Sequence, residues 1–203
     1  MADPFDQSRS TFPDHFSANA AGYAIYRPAY PGAFVAEIAA LAPRRTLAWD
    51  CATGNGQAAR LLASHFDRVI ATDASAEQID NAVPHSRVQY RVGREDSSGA
   101  ERRSVDNVTV STALHWLDLK IGFRDLAFPF EERPFGERSM TVKLSREQFV
   151  GYVDTWSAVA RSRREETTGA IGEFRKRLSA CWTDIELRDV TWPLYSRIGR
   201  VPG

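Results

Sequence analysis

Cysteine is scarce: Cys51 and Cys181 are the two in 203 residues, and both sit in apolar contexts without metal-ligand spacing. No excess of one charge exists either. Lys plus Arg equals Asp plus Glu at 26 each, which leaves no global electrostatic footprint for nucleic acid. The basic run Arg161, Arg163, Arg164, Arg175, Lys176 and Arg177 is interleaved with Glu165, Glu166 and Glu173, and reads as a solvated helix face. Nowhere do eighteen apolar residues run together, so no membrane span is expected. Met1-Ala2-Asp3-Pro4-Phe5-Asp6 lacks a basic region followed by an apolar core, so no signal peptide is expected. These absences imply a reduced, cytoplasmic, soluble protein whose partner is a small molecule rather than a membrane or nucleic acid.

What is present suffices for one core: 43% hydrophobic and 26% charged residues, in a length that suits one domain or one domain with a small appendage. Residues 1–30 carry Phe12, Phe16, Tyr23, Tyr26 and Tyr30 but few aliphatics, and read as an arm or lid. Pro31 opens a helix to about Ala42, with Phe34, Val35, Ile38 and Leu41 on one face. Strands are expected up to Asp50, over 68–72, over 88–92 and over 105–110, with helices at 57–66 and after the Ser75/Gln78 capping pattern. Strands alternating with helices predict an α/β fold with an open, mostly parallel sheet. Residues 117–144 show no clean helix and no run suited to a buried parallel strand. Beyond them, Ser145/Gln148 opens a helix with Phe149, Val150, Val153, Trp156 and Ala160 on one face. A further helix carries Ile171, Phe174, Leu178 and Cys181, and 185–198 reads as one or two strands broken at Pro193.

Chemistry concentrates at Asp50-Cys51-Ala52-Thr53-Gly54-Asn55-Gly56, a strand end, a glycine turn and a helix start. Such a turn lets backbone approach a ligand and points bare N–H groups at it. The carboxylate of Asp50 suits a nucleoside with a positive centre better than a pyrophosphate. Asp73 ends the second strand, 17 residues after Gly56, placed to accept ribose hydroxyls at the carboxyl edge of the sheet. Glu95 and Asp96 follow the third strand near a nucleobase, and His115 and Trp116 follow the fourth near the cofactor's reactive end. Plainer readings stand beside each: a tight turn at the glycines, a turn residue at Asp73, solvated charge at Glu95 and Asp96, a structural histidine at His115. Gly54-Asn55-Gly56-Gln57-Ala58-Ala59 also fits the dinucleotide pattern G-x-G-x-x-A, but Asp50 stands where a pyrophosphate would lie and no hydride-transfer site follows.

Taken together, Phe16, Tyr23-Ala24-Ile25-Tyr26-Arg27-Pro28, Trp49 through Ala59, Ala71-Thr72-Asp73-Ala74-Ser75 and Ala113-Leu114-His115-Trp116 resemble the class I S-adenosylmethionine-dependent methyltransferases. Within these the chain is similar to the small-molecule branch of trans-aconitate methyltransferases. Phe128-Pro129-Phe130-Glu131-Glu132 through Thr155-Trp156-Ser157-Ala158-Val159 resembles the family's C-terminal part. The resemblance implies a Rossmann-like sheet with helices on both faces and S-adenosyl-L-methionine as cofactor. Asp50, Ala52, Gly54 and Gly56 would cradle its methionine side, Asp73 its ribose, and Glu95 or Asp96 its adenine. Tyr23, Tyr26 and Arg27 would belong to a lid, with Arg27 pairing a substrate carboxylate. Trp116 would line the reactive end, and His115 becomes a base only for a hydroxyl or amine nucleophile.

Two departures stand out. Ala52 occupies a position where the family usually has glycine. Only 28 residues separate Trp116 from Ser145, and none reads as the family's fifth strand. That shortening fits an internal deletion, an altered gene model or a degenerate paralogue, and leaves either an unpaired edge on the fourth strand or C-terminal strands taking the vacant place. The expected organisation is an arm over 1–30, a cofactor-binding half over 31–118 and a shortened C-terminal part over 119–203, as a monomer or homodimer. The expected activity is methyl transfer to a small molecule, at a carboxylate oxygen. The alternatives are a non-catalytic remnant acting by binding or interaction, and an NAD(P)-dependent oxidoreductase.

Overall fold

A computed structural model describes residues 26–113, 128–165 and 169–201. The first half runs α1 (Gly32–Ala40), β1 (Leu47–Cys51), α2 (Gln57–Leu62), β2 (Arg68–Asp73), α3 (Ala76–Asp80), β3 (Val88–Val92) and β4 (Asn107–Val110). Its four strands form one parallel sheet in the order β3-β2-β1-β4. β1 and β2 are buried almost throughout, as central parallel strands covered on both faces must be. The core gathers Val35 and Ala39 of α1, Ala59 and Leu62 of α2, and Ala48, Val69 and Ala71 of the strands. Ala63 and Phe66 from the turn after α2 complete it. So many alanines let helix and sheet backbones approach closely, and Phe66 fills the remaining volume.

One side chain ties the entry of β1 to the start of β4. Asp106 accepts hydrogen bonds from the N–H groups of Thr46 and Leu47 at 2.9 and 3.1 Å and from Arg44 Nε at 3.0 Å. Burial alone would raise this carboxyl, but those donors outweigh it and hold it below the usual carboxylate value.

The second half is built differently. β5 (Glu131–Arg133) pairs antiparallel with β8 (Ile198–Arg200), and β6 (Arg138–Leu144) with β7 (Arg188–Leu194). Between them run α4 (Arg146–Asp154), α5 (Ser157–Arg164) and α6 (Gly169–Cys181). Among the described residues nothing pairs with the outer side of β4, and the C-terminal strands pair with one another instead of joining the parallel sheet. The described C-terminal strands therefore do not take the place of a fifth strand in the parallel sheet.

Two expectations need correction, and one stretch holds an element that was not read. β6 lies where no buried parallel strand was expected, and it is not one. It is an antiparallel ribbon strand, with Met140, Val142 and Leu144 alternating against outward Thr141 and Lys143. β7 runs through Pro193 to Leu194 instead of breaking there, because a two-stranded ribbon leaves one side of each strand without a ladder partner, where the missing N–H costs nothing. The helix expected to carry Phe149 through Ala160 is two helices: Thr155 closes α4, and Trp156, 42% exposed, caps the start of α5. The capping pattern at Ser145/Gln148 is a full capping box, and Ser75 accepts from the Gln78 N–H as its spacing predicts. Among the described residues no helix is long and apolar enough to cross a membrane.

Residues 26–37 join the halves. The Tyr26 ring lies against Gly151 of α4, where a Cβ would fall within 2.6 Å of ring carbon Cε1. Phe34 meets Phe135 edge-on at 5.9 Å, and Glu37 of α1 accepts from Arg138 at 2.7 Å.

Candidate active site

A cavity of about 260 Å³ opens at the carboxyl edge of the parallel sheet, where the strand order reverses between β1 and β4. All four strand ends reach it: Ala52 to Asn55 after β1, Asp73 and Ala74 at β2, Gly93 and Glu95 after β3, and Ser111 to Ala113 after β4. Two non-glycine residues of its wall, Ala52 at φ 54° and Thr112 at φ 57°, adopt the left-handed conformation. Such strain costs roughly 1–2 kcal/mol per residue and gathers where function needs the geometry. Ala52 therefore carries a real penalty at the place where the resembled family has glycine.

The turn after β1 is held by its own hydrogen bonds. Thr53 N–H donates to the Thr72 carbonyl at 2.9 Å, Gly54 N–H to Asp73 Oδ2 at 2.8 Å, and Gly56 N–H to the Thr53 carbonyl at 3.1 Å. The bare N–H groups expected to face a ligand are, at these three positions, spent on the loop. Gly56 (φ 85°) starts α2 directly against the Tyr90 ring, which leaves no room for a side chain. It serves the turn and stands outside the cavity wall.

Asp50 is 1% exposed and lies beneath the loop rather than in the wall. It accepts from Thr53 Oγ1 at 2.5 Å and Thr109 Oγ1 at 2.8 Å. Burial pushes its carboxyl up to about 6, against the lowering effect of those donors and of the Ala59 amide. Cys51 beside it is pushed up to about 11 by burial and by the Asp50 charge, so it is no thiolate nucleophile at neutral pH. Asp73 stands in the wall, raised by burial although Ser75 and Gly54 N–H groups donate to it.

Of the other expected residues, Ala52, Gly54, Glu95 and Arg27 line the same cavity, whereas Asp96 is exposed outside it. Tyr23, His115 and Trp116 lie outside the described residues. Arg27 is positioned by α4: its Nε donates to Thr155 Oγ1 at 2.9 Å, and its guanidinium stands 5.5 Å over the Tyr152 ring. Tyr30 shares a hydrogen bond with Thr112, bringing the arm to the end of β4.

Several wall residues escaped sequence reasoning. Met140 of β6, Tyr152 of α4, and Trp192, Pro193 and Leu194 of β7 close the side of the cavity facing the sheet. The alternation Met140-Thr141-Val142-Lys143-Leu144 was the available signal for β6. Gln78, seen in the sequence only as a capping partner, is 4% exposed and lines the cavity. Its Oε1 has no hydrogen-bond partner among the described residues. A buried acceptor left so costs roughly 1–3 kcal/mol.

These features fit a nucleoside cofactor with hydroxyl and ammonium donors: an unsatisfied Gln78 acceptor, a carboxylate at Asp73, and a turn at Gly54 without a side chain. The four parallel strands with their helices form the Rossmann-like fold of methyltransferases. Residues 49–127 match the family described as "Methyltransferase domain". A protein from Dictyostelium discoideum named "Putative methyltransferase" is 33% identical over 115 residues, 56% of this chain. The match covers 44% of that relative, so the chain spans less than half its length. Among solved structures, a "Putative Type II Methyltransferase" from Anaeromyxobacter dehalogenans superposes with a TM-score of 0.73 at 29% identity. That superposition covers 83% of this chain and 95% of the other. Part of the chain is thus similar in sequence to methyltransferases, and its parallel sheet with helices has their fold.

Proposed function

We propose that this chain is an S-adenosyl-L-methionine-dependent methyltransferase acting on a small molecule at a carboxylate oxygen. The observation that carries the reading is the convergence of Asp73, the Gly54 turn and the unsatisfied Gln78 acceptor on one cavity at the switch point. When bound, the cofactor would supply an electrophilic sulfonium methyl group for transfer to a substrate oxygen. Asp73 would accept the ribose hydroxyls, Glu95 would stand near the adenine, and the Ala52–Asn55 turn would lie under the methionine portion. Buried Asp50 holds the turn through Thr53 and places negative potential below a cationic ligand. Arg27 would hold one carboxylate oxygen while the other attacks. A carboxylate needs no base, so alignment and exclusion of water are the protein's contribution. His115 would serve as base only for a hydroxyl or amine.

The resemblance to trans-aconitate methyltransferases supports a small acid as acceptor, and the short span between Trp116 and Ser145 supports an internal deletion after β4. The division at 1–30, 31–118 and 119–203 fits an arm, a cofactor half and a substrate-side part.

Calorimetric titration with S-adenosylhomocysteine, beside Asp73→Ala, tests the reading. Micromolar binding is expected, weakened at least tenfold in the variant. A cooperatively folded protein that binds no S-adenosylhomocysteine would favour the remnant reading, and preference for a dinucleotide would favour an oxidoreductase.

A further inference from the structure

Two helix starts carry the same capping pattern and complete it differently. At Ser145-Arg146-Glu147-Gln148 the box is closed: Gln148 N–H donates to Ser145 Oγ at 3.2 Å, and Ser145 N–H donates to Gln148 Oε1 at 2.9 Å. At Ser75-Ala76-Glu77-Gln78 only half of it forms. Gln78 N–H donates to Ser75 Oγ at 3.3 Å, but Ser75 N–H is taken by Asp73 Oδ1 at 2.9 Å. The Gln78 side chain, released from the cap, lines the cavity instead. There it is 4% exposed, and its Oε1 has no hydrogen-bond partner among the described residues. Buried acceptors are almost always satisfied in native folds, so one left open at a cavity wall points to a donor on the ligand.

Its position narrows the donor. Gln78 Oε1 lies 3.7 Å from the place a Gly54 Cβ would occupy, and Gly54 N–H donates to Asp73 Oδ2 at 2.8 Å. Gln78 and Asp73 therefore flank the same glycine. Two acceptors around one turn suit a pair of neighbouring hydroxyls. A neutral amide also adds no second charge beside Asp73, whose carboxyl is already raised by burial. We propose that Gln78 reads the cofactor's sugar, its Oε1 accepting a hydrogen bond from one ribose hydroxyl while Asp73 accepts from the other. This rests on the methyltransferase reading above and goes beyond it in giving the amide a stated partner.

The test is calorimetry on the full chain with S-adenosylhomocysteine and its 2′-deoxy and 3′-deoxy analogues, for wild type and Gln78→Met. Methionine keeps the length of the side chain and removes the acceptor. Gln78→Met is expected to weaken S-adenosylhomocysteine about tenfold. One deoxy analogue, lacking the hydroxyl that Gln78 holds, should bind both proteins within about twofold, and the other should keep the tenfold difference. The urea midpoint of the ligand-free variant should equal or exceed that of wild type, because an apolar group replaces an unpartnered acceptor. Equal weakening of all three ligands, or unchanged S-adenosylhomocysteine affinity, overturns the proposal; a residue serving only the helix would also lower the midpoint. Gln78→Leu repeats the comparison if Gln78→Met does not fold. In all these outcomes wild type still binds S-adenosylhomocysteine, and the methyltransferase reading stands. Failure of wild type to bind it removes that reading, and this inference with it.

Discussion

The parallel half and the antiparallel half solve the same problem with different means. In the first, β1 and β2 are sealed between layers, and a run of alanines brings helices close to the sheet. After Ala113, the buried apolar side chains among the described residues are Leu144, Val153, Val159 and Trp182, and α6 buries none. The first half brings backbone to the cavity: turns, strand ends and the left-handed residues Ala52 and Thr112. The second contributes side chains to a cavity whose geometry it does not define. A cradle built of backbone and a wall built of side chains are thus separated along the chain, joined by residues 26–37.

The largest test of this contrast is a pair of truncations. Phe66→Ala, at a side chain 1% exposed, should cost about 3–5 kcal/mol in urea unfolding. Val142→Ala in the half-buried face of β6 should cost below about 1 kcal/mol. Equal losses would erase the distinction. Asp106→Ala comes next: it strands the Thr46 and Leu47 N–H groups and should lower stability by about 2–3 kcal/mol.

Asp50 sharpens the comparison through pH. Its carboxyl is raised in the folded protein from 3.8 to about 6, so the folded state holds its proton more tightly than the unfolded chain. Stability from this group is full below about pH 4 and is lost as pH rises through 6. Between pH 5 and pH 7 the loss is about 1 kcal/mol. Urea midpoints of Asp50→Asn relative to wild type should therefore improve by that amount over this interval. A pH-independent difference would mean the buried carboxyl is not raised. The smallest effect is at Ala52. Glycine there relieves left-handed strain of roughly 1 kcal/mol but adds unfolded-state entropy of about 0.4–1 kcal/mol. Ala52→Gly should leave stability unchanged or gain up to about 0.6 kcal/mol, with S-adenosylhomocysteine affinity retained within threefold.

The two halves also differ in how readable they are. β2 and β3 stand within a residue of their expected bounds: β2, buried on both faces, advertises itself as an apolar run, and β3, at the sheet edge, as the alternation Val88, Tyr90, Val92. The Ser145 helix start followed from capping chemistry that is local in sequence. β6 went unread because its alternation begins in Arg138-Ser139 and its partner lies some fifty residues away. The break at Trp156 was hidden because its spacing still matched one helical face. In the site, Asp73, Glu95, Gly54, Ala52 and Arg27 were legible from strand ends and resemblance. Asp50 was legible as important, but its place under the loop was not, because two threonines decide it. Gln78 was read as a cap because its second role depends on a cavity that only the tertiary fold creates.

The most direct test of a cradle separate from a wall is amide hydrogen exchange with and without S-adenosylhomocysteine. The account predicts added protection in peptides spanning 50–58 and 72–79, with little change at 138–144 and 188–194 until an acid ligand is added. Protection confined to the two ribbon strands, with none at the turn after β1, would contradict it.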